Sequence, residues 1–181
     1  MKKLLKAIVW VLAALVVIFI GGGYLLPNEV NLQRQTVINV PPEKVFALVS
    51  GYKRFIEWSP WAELDPKAVY TFEGPDSGVG AKMTWASNDP GVGAGSQAIT
   101  EYVPNSRVGM ALDFGAMGKS QAFWDLKPEG TGTSTTWGFK MKLESMIDRW
   151  CGLMMERFLR PDYDRGLAKL KALAEKEAAG G

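Results

Sequence analysis

Histidine is absent from the 181 residues, and cysteine occurs once, at Cys151. The first absence removes the commonest general base and the commonest metal ligand together. The second excludes an internal disulfide and any Cys/His metal framework. No metal site and no cofactor are therefore expected. A strong charge imbalance is missing too. The formal net charge is +2, and apart from Lys2, Lys3 and Lys6 the chain carries 18 basic against 19 acidic residues. No basic stripe remains to neutralise phosphates, so nucleic acid is not an expected partner. Internal repeats and low-complexity runs are likewise lacking.

Charge is missing locally in one place. Ala7 to Leu26, AIVWVLAALVVIFIGGGYLL, is twenty residues without a charged side chain. As a helix rising 1.5 Å per residue it would reach about 30 Å, the thickness of a bilayer's hydrocarbon core. Lys2, Lys3 and Lys6 precede it and the next basic residue is Arg34, which favours a cytoplasmic N-terminus and a domain on the far side, periplasmic in a Gram-negative cell. A cleaved signal peptide is the competing reading, because the strongly apolar part, Ala7–Ile20, is short and Gly21 and Gly23 could serve a cleavage site. Tyr24–Leu26 extends the run, and Trp10 and Tyr24 sit near its ends as interfacial anchors would. The retained single-pass anchor, residues 1–27, is the favoured reading, with one domain over 28–181.

That domain opens with a predicted strand, Val30–Val40, in which Leu32, Thr36, Ile38 and Val40 share one parity. Pro42 suits the first position of a helix whose stripe is Val45, Phe46 and Val49. A short helix or turn over Tyr52–Glu57 follows. Glu57–Pro66, EWSPWAELDP, then reads as loop because of its prolines, yet it carries Trp58 and Trp61. Six strands are predicted next: Ala68–Glu73, Ala81–Ala86, Ser96–Val103, Arg107–Phe114, Ser120–Lys127 and Thr133–Leu143. Their short connections make an antiparallel meander. The glycine-rich GVGAGS at Gly91–Ser96 lacks the Lys-Ser/Thr of a phosphate loop and precedes a strand, so it is a hairpin. Ile147, Trp150, Cys151, Met154, Met155 and Phe158 then recur with helical spacing. Pro161 is expected to break or kink that helix, and Tyr163, Leu167, Leu170 and Ala174 form the stripe of its continuation. An α+β fold follows, one curved antiparallel sheet gripping one long C-terminal helix.

This order, together with PPEKVFALV (Pro41–Val49), WSPW with DP (Trp58–Pro66), GVGAKMTW (Gly78–Trp85), GTSTTWGFKM (Gly132–Met141) and PDYDRGLAKLKALAE (Pro161–Glu175), resembles the helix-grip superfamily. That superfamily, also called SRPBCC, contains START domains, birch-pollen-allergen-like proteins and polyketide cyclases. The chain looks most like its bacterial polyketide cyclase/dehydrase and lipid-transport branch. The resemblance implies a cavity between sheet and helix, usually for an apolar ligand, and no catalytic motif that can be carried over.

The candidate ligand-binding residues are chosen accordingly. Met110, Leu112, Trp124, Trp137 and Met141 should point inward from the sheet, and Trp150, Met154 and Phe158 from the helix. Trp85, in GVGAKMTW, joins them. Pockets and cores share composition, so each could equally be core. Trp58 and Trp61 are either a lid or aromatic wall for a ligand, or a plug that closes the end of the sheet. Arg34 shares parity with Ile38 and Val40; it either meets a ligand carboxylate or phosphate, or pairs with an acidic side chain. Asp113 and Asp125 have the parity opposite to the apolar residues and should face solvent. Ser59, Ser96 and Ser120 have no histidine to activate them, and Cys151 is expected to be buried and inert. No residue is assigned a catalytic role. The function expected is a membrane-anchored holder of an apolar small molecule, such as a lipid or fatty-acyl chain. A cyclase- or hydrolase-like enzyme using a cavity carboxylate, and a ligand-free interaction module, are the alternatives. No protein partner can be named.

Overall fold

The computed structural model describes residues 2–180; Met1 and Gly181, at the outer ends of the two expected segments, lie outside the described residues. Helix α1, Lys2–Leu25, is long and apolar enough to cross a membrane. Strand β1, Glu29–Ile38, leads to α2, Pro42–Val49, and two short helices, α3, Phe55–Trp58, and α4, Pro60–Leu64. A meander of β2, Val69–Glu73, β3, Lys82–Ala86, β4, Ala94–Val103, β5, Arg107–Asp113, β6, Lys119–Glu129, and β7, Gly132–Lys142, follows. Helix α5, Met146–Gly180, ends the described chain.

All strand pairs are antiparallel, in the order β1-β7-β6-β5-β4-β3-β2, so the first strand closes against the last. The β1–β7 register runs from Glu29 opposite Lys142 to Ile38 opposite Thr133. One face of the curved sheet packs on α2–α5, and the core alternates as period two demands: Leu32 and Ile38 on β1, Met83 on β3, Ile99 on β4, and Trp124 and Leu126 on β6 are buried. A register shift between Ile99 and Glu101 marks a bulge in β4, a device that adds bend to a sheet. On the outer face Arg107 joins neighbouring strands through Glu101, at 2.8 Å, and Asp125. Asp125 and Asp113 thus lie on the side away from the core, as their parity predicts.

Three expectations need correction. The tryptophan stretch is not a loop: Ser59 is extended (φ −61°, ψ 129°) and Pro60 starts α4, so α3 and α4 meet at a corner. Proline at the first helical position loses nothing, because the N–H it lacks would have no partner there. Pro161 does not break α5. It is exposed on the outer side, where water can satisfy the carbonyl that its ring releases. Cys151 is exposed rather than buried.

Side-chain pairs fasten the end of α5. The Arg54 guanidinium donates to Glu57 at 2.7 and 2.9 Å and also bonds Glu177. Hydrogen bonding to Arg54 holds both carboxyls below their ordinary range. Groups lowered in the folded state stabilise it above the ordinary carboxylate pKa, and that contribution disappears as pH falls through the lowered values. The groups are substantially exposed, so the effect is small. Amide exchange, corrected for intrinsic pH dependence, should show the last turns of α5 losing protection on acidification before the sheet does. Equal loss in Arg54→Gln and parent chains would contradict this.

Candidate functional site

Between the sheet and α5 lies a cavity of about 240 Å³. Tyr163 and Leu159 of α5 wall one side, and Met83, Trp85, Gln97, Leu112, Phe114 and Phe139 the sheet side. Phe55 and Trp61 close one end, and the turn Pro90–Gly93 lies at the other. That turn is held by sequence-local bonds. The Trp85 Nε1–H donates to the Val92 carbonyl at 3.2 Å, and the Ser87 and Gly93 backbones pair at 2.9 Å. Gly95 is obligatory there, because a Cβ would lie 2.6 Å from the Trp85 ring and 2.8 Å from the Asp113 carbonyl.

Beyond Phe55 and Trp61 the interior is filled by aromatic rings. Trp124 stacks on Trp137 with centroids 4.7 Å apart, and Trp137 stacks on Tyr163 at 4.0 Å. Trp58 meets Trp124 and Trp137 edge-on at 5.5 and 5.6 Å. Its Nε1–H donates to the Leu48 carbonyl at 3.2 Å, tying α3 to α2. Trp58 is therefore the plug. Trp61, half-buried and edge-on to Trp137 at 5.8 Å, is wall to the cavity as well as cover for the cluster. The two tryptophans of one motif divide the two roles that the sequence left open.

A second void of about 40 Å³ lies deeper, between the cavity and the aromatic cluster; Met110, Trp124 and Trp137 border it. That is room for a water or the tip of a ligand. Three polar side chains border it: Gln97, 7% exposed and shared with the larger cavity, Tyr163, and Tyr52, whose buried hydroxyl has no partner among the described residues. Gln97 was not among the residues singled out in the sequence. The signal was available, since it stands opposite Met83 and Leu112 in the register and so takes the inward parity. A polar residue on the apolar face of a strand marks itself.

The remaining candidates fall elsewhere. Met141 lines a separate open trough beside Lys119, Lys140 and Asp148. Arg34 is on the inward parity, opposite Trp137, but its Nε and Nη2 donate to the Asp164 carboxylate of α5 at 2.6 and 3.1 Å. The acidic-partner alternative describes it. Trp150, Met154 and Phe158 do not reach the cavity. Trp150 stacks on Phe19 of α1, and Met154 and Phe158 are exposed. Two apolar stripes run along α5, and glycine decides which one meets the sheet. A Cβ at Gly152 would lie 2.5 Å from Leu143, and one at Gly166 2.6 Å from Trp137, so these positions mark the line of closest approach.

The chemistry such a lining can support is limited. Among the described residues no carboxylate, lysine or arginine lines the cavity, and no group of three acidic or sulfur ligands is placed to hold a metal. The bordering phenols of Tyr52 and Tyr163 are pushed far up by burial, and Tyr70 is raised chiefly by burial. They remain protonated at neutral pH and cannot serve as bases. Ser59 is fully buried and its hydroxyl, like that of buried Ser120, has no partner among the described residues.

Solved structures share the fold. The protein CV1439 from Chromobacterium violaceum is 21% identical, with a TM-score of 0.54 over 83% of this chain and 99% of that one. NE0264 from Nitrosomonas europaea is 16% identical, with a TM-score of 0.57 over 82% of this chain and 96% of that one. The di-domain ARO/CYC StfQ of the steffimycin biosynthetic pathway is 12% identical, with a TM-score of 0.62; the match covers 83% of this chain and 52% of StfQ, about half its length. No curated protein matches the sequence. Residues 29–175, from the first residue of β1 to the last turns of α5, match the family described as polyketide cyclase / dehydrase and lipid transport. The chain, with its apolar cavity between a curved antiparallel sheet and a long helix, belongs to that family.

Proposed function

We propose that this chain is a membrane-anchored binding protein that holds an apolar small molecule, a fatty-acyl or similar lipid chain, in the cavity and performs no chemistry on it. Residues 1–27 are the retained anchor, with the N-terminus cytoplasmic, and residues 28–181 are the binding domain outside the cytoplasm. The observation that carries the reading is the cavity's lining: apolar and aromatic walls with a single amide, that of Gln97, and no ionisable acid or base beyond suppressed phenols. A pocket of that kind draws affinity from apolar burial and orientation from a few polar contacts. The absence of a lining carboxylate weighs against the cyclase- or hydrolase-like alternative, and the void itself weighs against a filled interaction module. At about 240 Å³ the cavity is below the usual range of about 300–1,000 Å³ for drug-sized ligands, which suits a single chain rather than a sterol. The basic residues Lys2, Lys3 and Lys6 support the orientation, and an anchor suits a ligand that comes from the membrane.

The test is titration of the full chain, in nanodiscs, with a dansyl-labelled undecanoic acid. Saturable binding at one site is expected. Leu112→Trp, which fills the cavity, should weaken binding by about tenfold or more, the equivalent of about 1.4 kcal/mol. Gln97→Leu removes one hydrogen bond to the ligand and should weaken binding by about three- to tenfold without loss of stability. Unsaturable uptake by the parent chain, or equal binding by Leu112→Trp, would overturn the reading.

A further inference from the structure

The first half of α5, Met146–Arg160, carries apolar side chains on more than one face. Gly152, Met155 and Leu159 turn to the domain. Ile147, Cys151, Met154 and Phe158, spaced four, three and four apart, form a separate column, about a quarter-turn round the helix. Ile147 is 62%, Met154 49% and Phe158 66% exposed, and Cys151 is exposed with them. An exposed apolar column of helical spacing marks a surface that something covers.

What covers it follows from α1. The neighbouring column of α5, Met146 and Trp150, is the one that docks on α1. Trp150 stacks on Phe19 with centroids 5.5 Å apart and donates from Nε1 to the Phe19 carbonyl at 3.2 Å. A Cβ at Gly23 would lie 2.2 Å from Met146, so the contact needs glycine. The exposed column is thus continuous with the α1–α5 interface. That interface spans Phe19–Tyr24, inside the uncharged run that ends at Leu26. At 1.5 Å per residue Phe19 lies about 10 Å inside the end of that run. Side chains packed there lie about 5–10 Å below the headgroup boundary, the depth that the apolar face of an interfacial helix reaches. Of the cations of this half-helix, Arg160 pairs with Glu156 and Arg149 donates to the Tyr24 carbonyl, which leaves exposed Arg157 to meet an anionic headgroup.

We propose that the first half of α5 lies in the headgroup–acyl boundary of the bilayer beside α1, with Ile147, Met154 and Phe158 inserted among the lipids. The helix that roofs the cavity is then itself seated on the membrane. This rests on α1 spanning the bilayer and does not depend on what the cavity holds.

The native Cys151 is the probe. A nitroxide attached to it in the full chain, reconstituted in phosphatidylethanolamine/phosphatidylglycerol vesicles, reports accessibility to oxygen and to a nickel chelate. Two references, each with Cys151→Ser, are Lys127→Cys at the end of the sheet remote from α1 and Val16→Cys within α1. Cys151 should show nickel accessibility lower than Lys127→Cys by about threefold or more, with oxygen accessibility raised, the signature of an interfacial residue. A Cys151 label as open to nickel as Lys127→Cys overturns the proposal. So does one shielded from both reagents, which would mean that a second protein copy covers the column. The Val16→Cys label separates the causes. If it reads hydrocarbon while Cys151 reads water, the anchor stands and the seating fails. If both read water, the anchor reading fails with it.

Discussion

Replacing Trp58 with alanine should destabilise the domain by about 3–5 kcal/mol, the range for deleting a fully buried large aromatic. The indole is 1% exposed and touches the edges of both Trp124 and Trp137. Its removal leaves a void walled by rings that stack on one another and cannot easily collapse inward. It also breaks the bond to the Leu48 carbonyl, which loosens α3 from α2. Domains hold about 5–15 kcal/mol in all, so the urea midpoint should fall by about a fifth or more. Trp58→Phe should lose distinctly less, because most of the ring volume stays. The void would be apolar, and apolar voids bind matching small molecules. Added indole should therefore raise the urea midpoint of Trp58→Ala by more than it raises that of the parent, whose own apolar cavity stays the same. A loss below about 1 kcal/mol would show that Trp58 is not the plug described here.

Trp61 provides the contrast. It is half-buried, lines the cavity and meets Trp137 and Tyr163 edge-on. Truncating it removes cavity wall more than core. The two residues are three positions apart in one motif, and composition alone cannot separate them. What separates them is the corner at Ser59–Pro60, which turns α4 away from α3 and leaves the second ring half-buried against the cavity.

The sheet was legible because alternation is clear at Arg107–Phe114 and Thr136–Leu143 and the connections of the meander are short. Met110 and Trp124 fall on the same face in sequence and in space, since the register of a meander leaves little choice once one face is apolar. The helix was harder for a definite physical reason. Its first half has apolar residues on two faces, and periodicity counts both without saying which meets the sheet. The stripe marked by spacing, Ile147, Trp150, Cys151, Met154, Met155 and Phe158, mixes the two: Met155 packs on the core, Ile147, Cys151, Met154 and Phe158 are exposed, and the closest approach is at Gly152, which a hydrophobicity pattern treats as blank. The cavity's polar group escaped for a related reason. Gln97 is uninformative by type and informative only by parity, and its strand was read for its apolar members. Arg34 shows the limit from the other side. Parity placed it inward correctly, but only the position of Asp164 on α5 decides that it pairs within the protein.

Gly166→Ala should destabilise the domain by about 1–3 kcal/mol, the usual cost of overpacking, although alanine is the better helix former by about 1 kcal/mol. The added methyl would lie 2.6 Å from Trp137 Cζ3 and 3.2 Å from Pro60 Cδ. Neither neighbour can yield alone. Trp137 is stacked between Trp124 and Tyr163, and Pro60 is buried at the start of α4. The relief available is a shift of α5 away from the sheet, and α5 carries Leu159 and Tyr163, which wall the cavity. Gly166→Leu should enlarge both effects. If α5 moves, the stability loss should come with altered affinity for the dansyl fatty acid, even though residue 166 does not line the cavity. Pairing Gly166→Ala with Trp137→Leu should recover part of the loss, because the larger ring is the obstacle, and the coupling in that double-mutant cycle measures the contact directly. A Gly166→Ala chain as stable as the parent would mean that the helix does not approach the sheet this closely, and the cavity's dimensions would have to be larger than those described here.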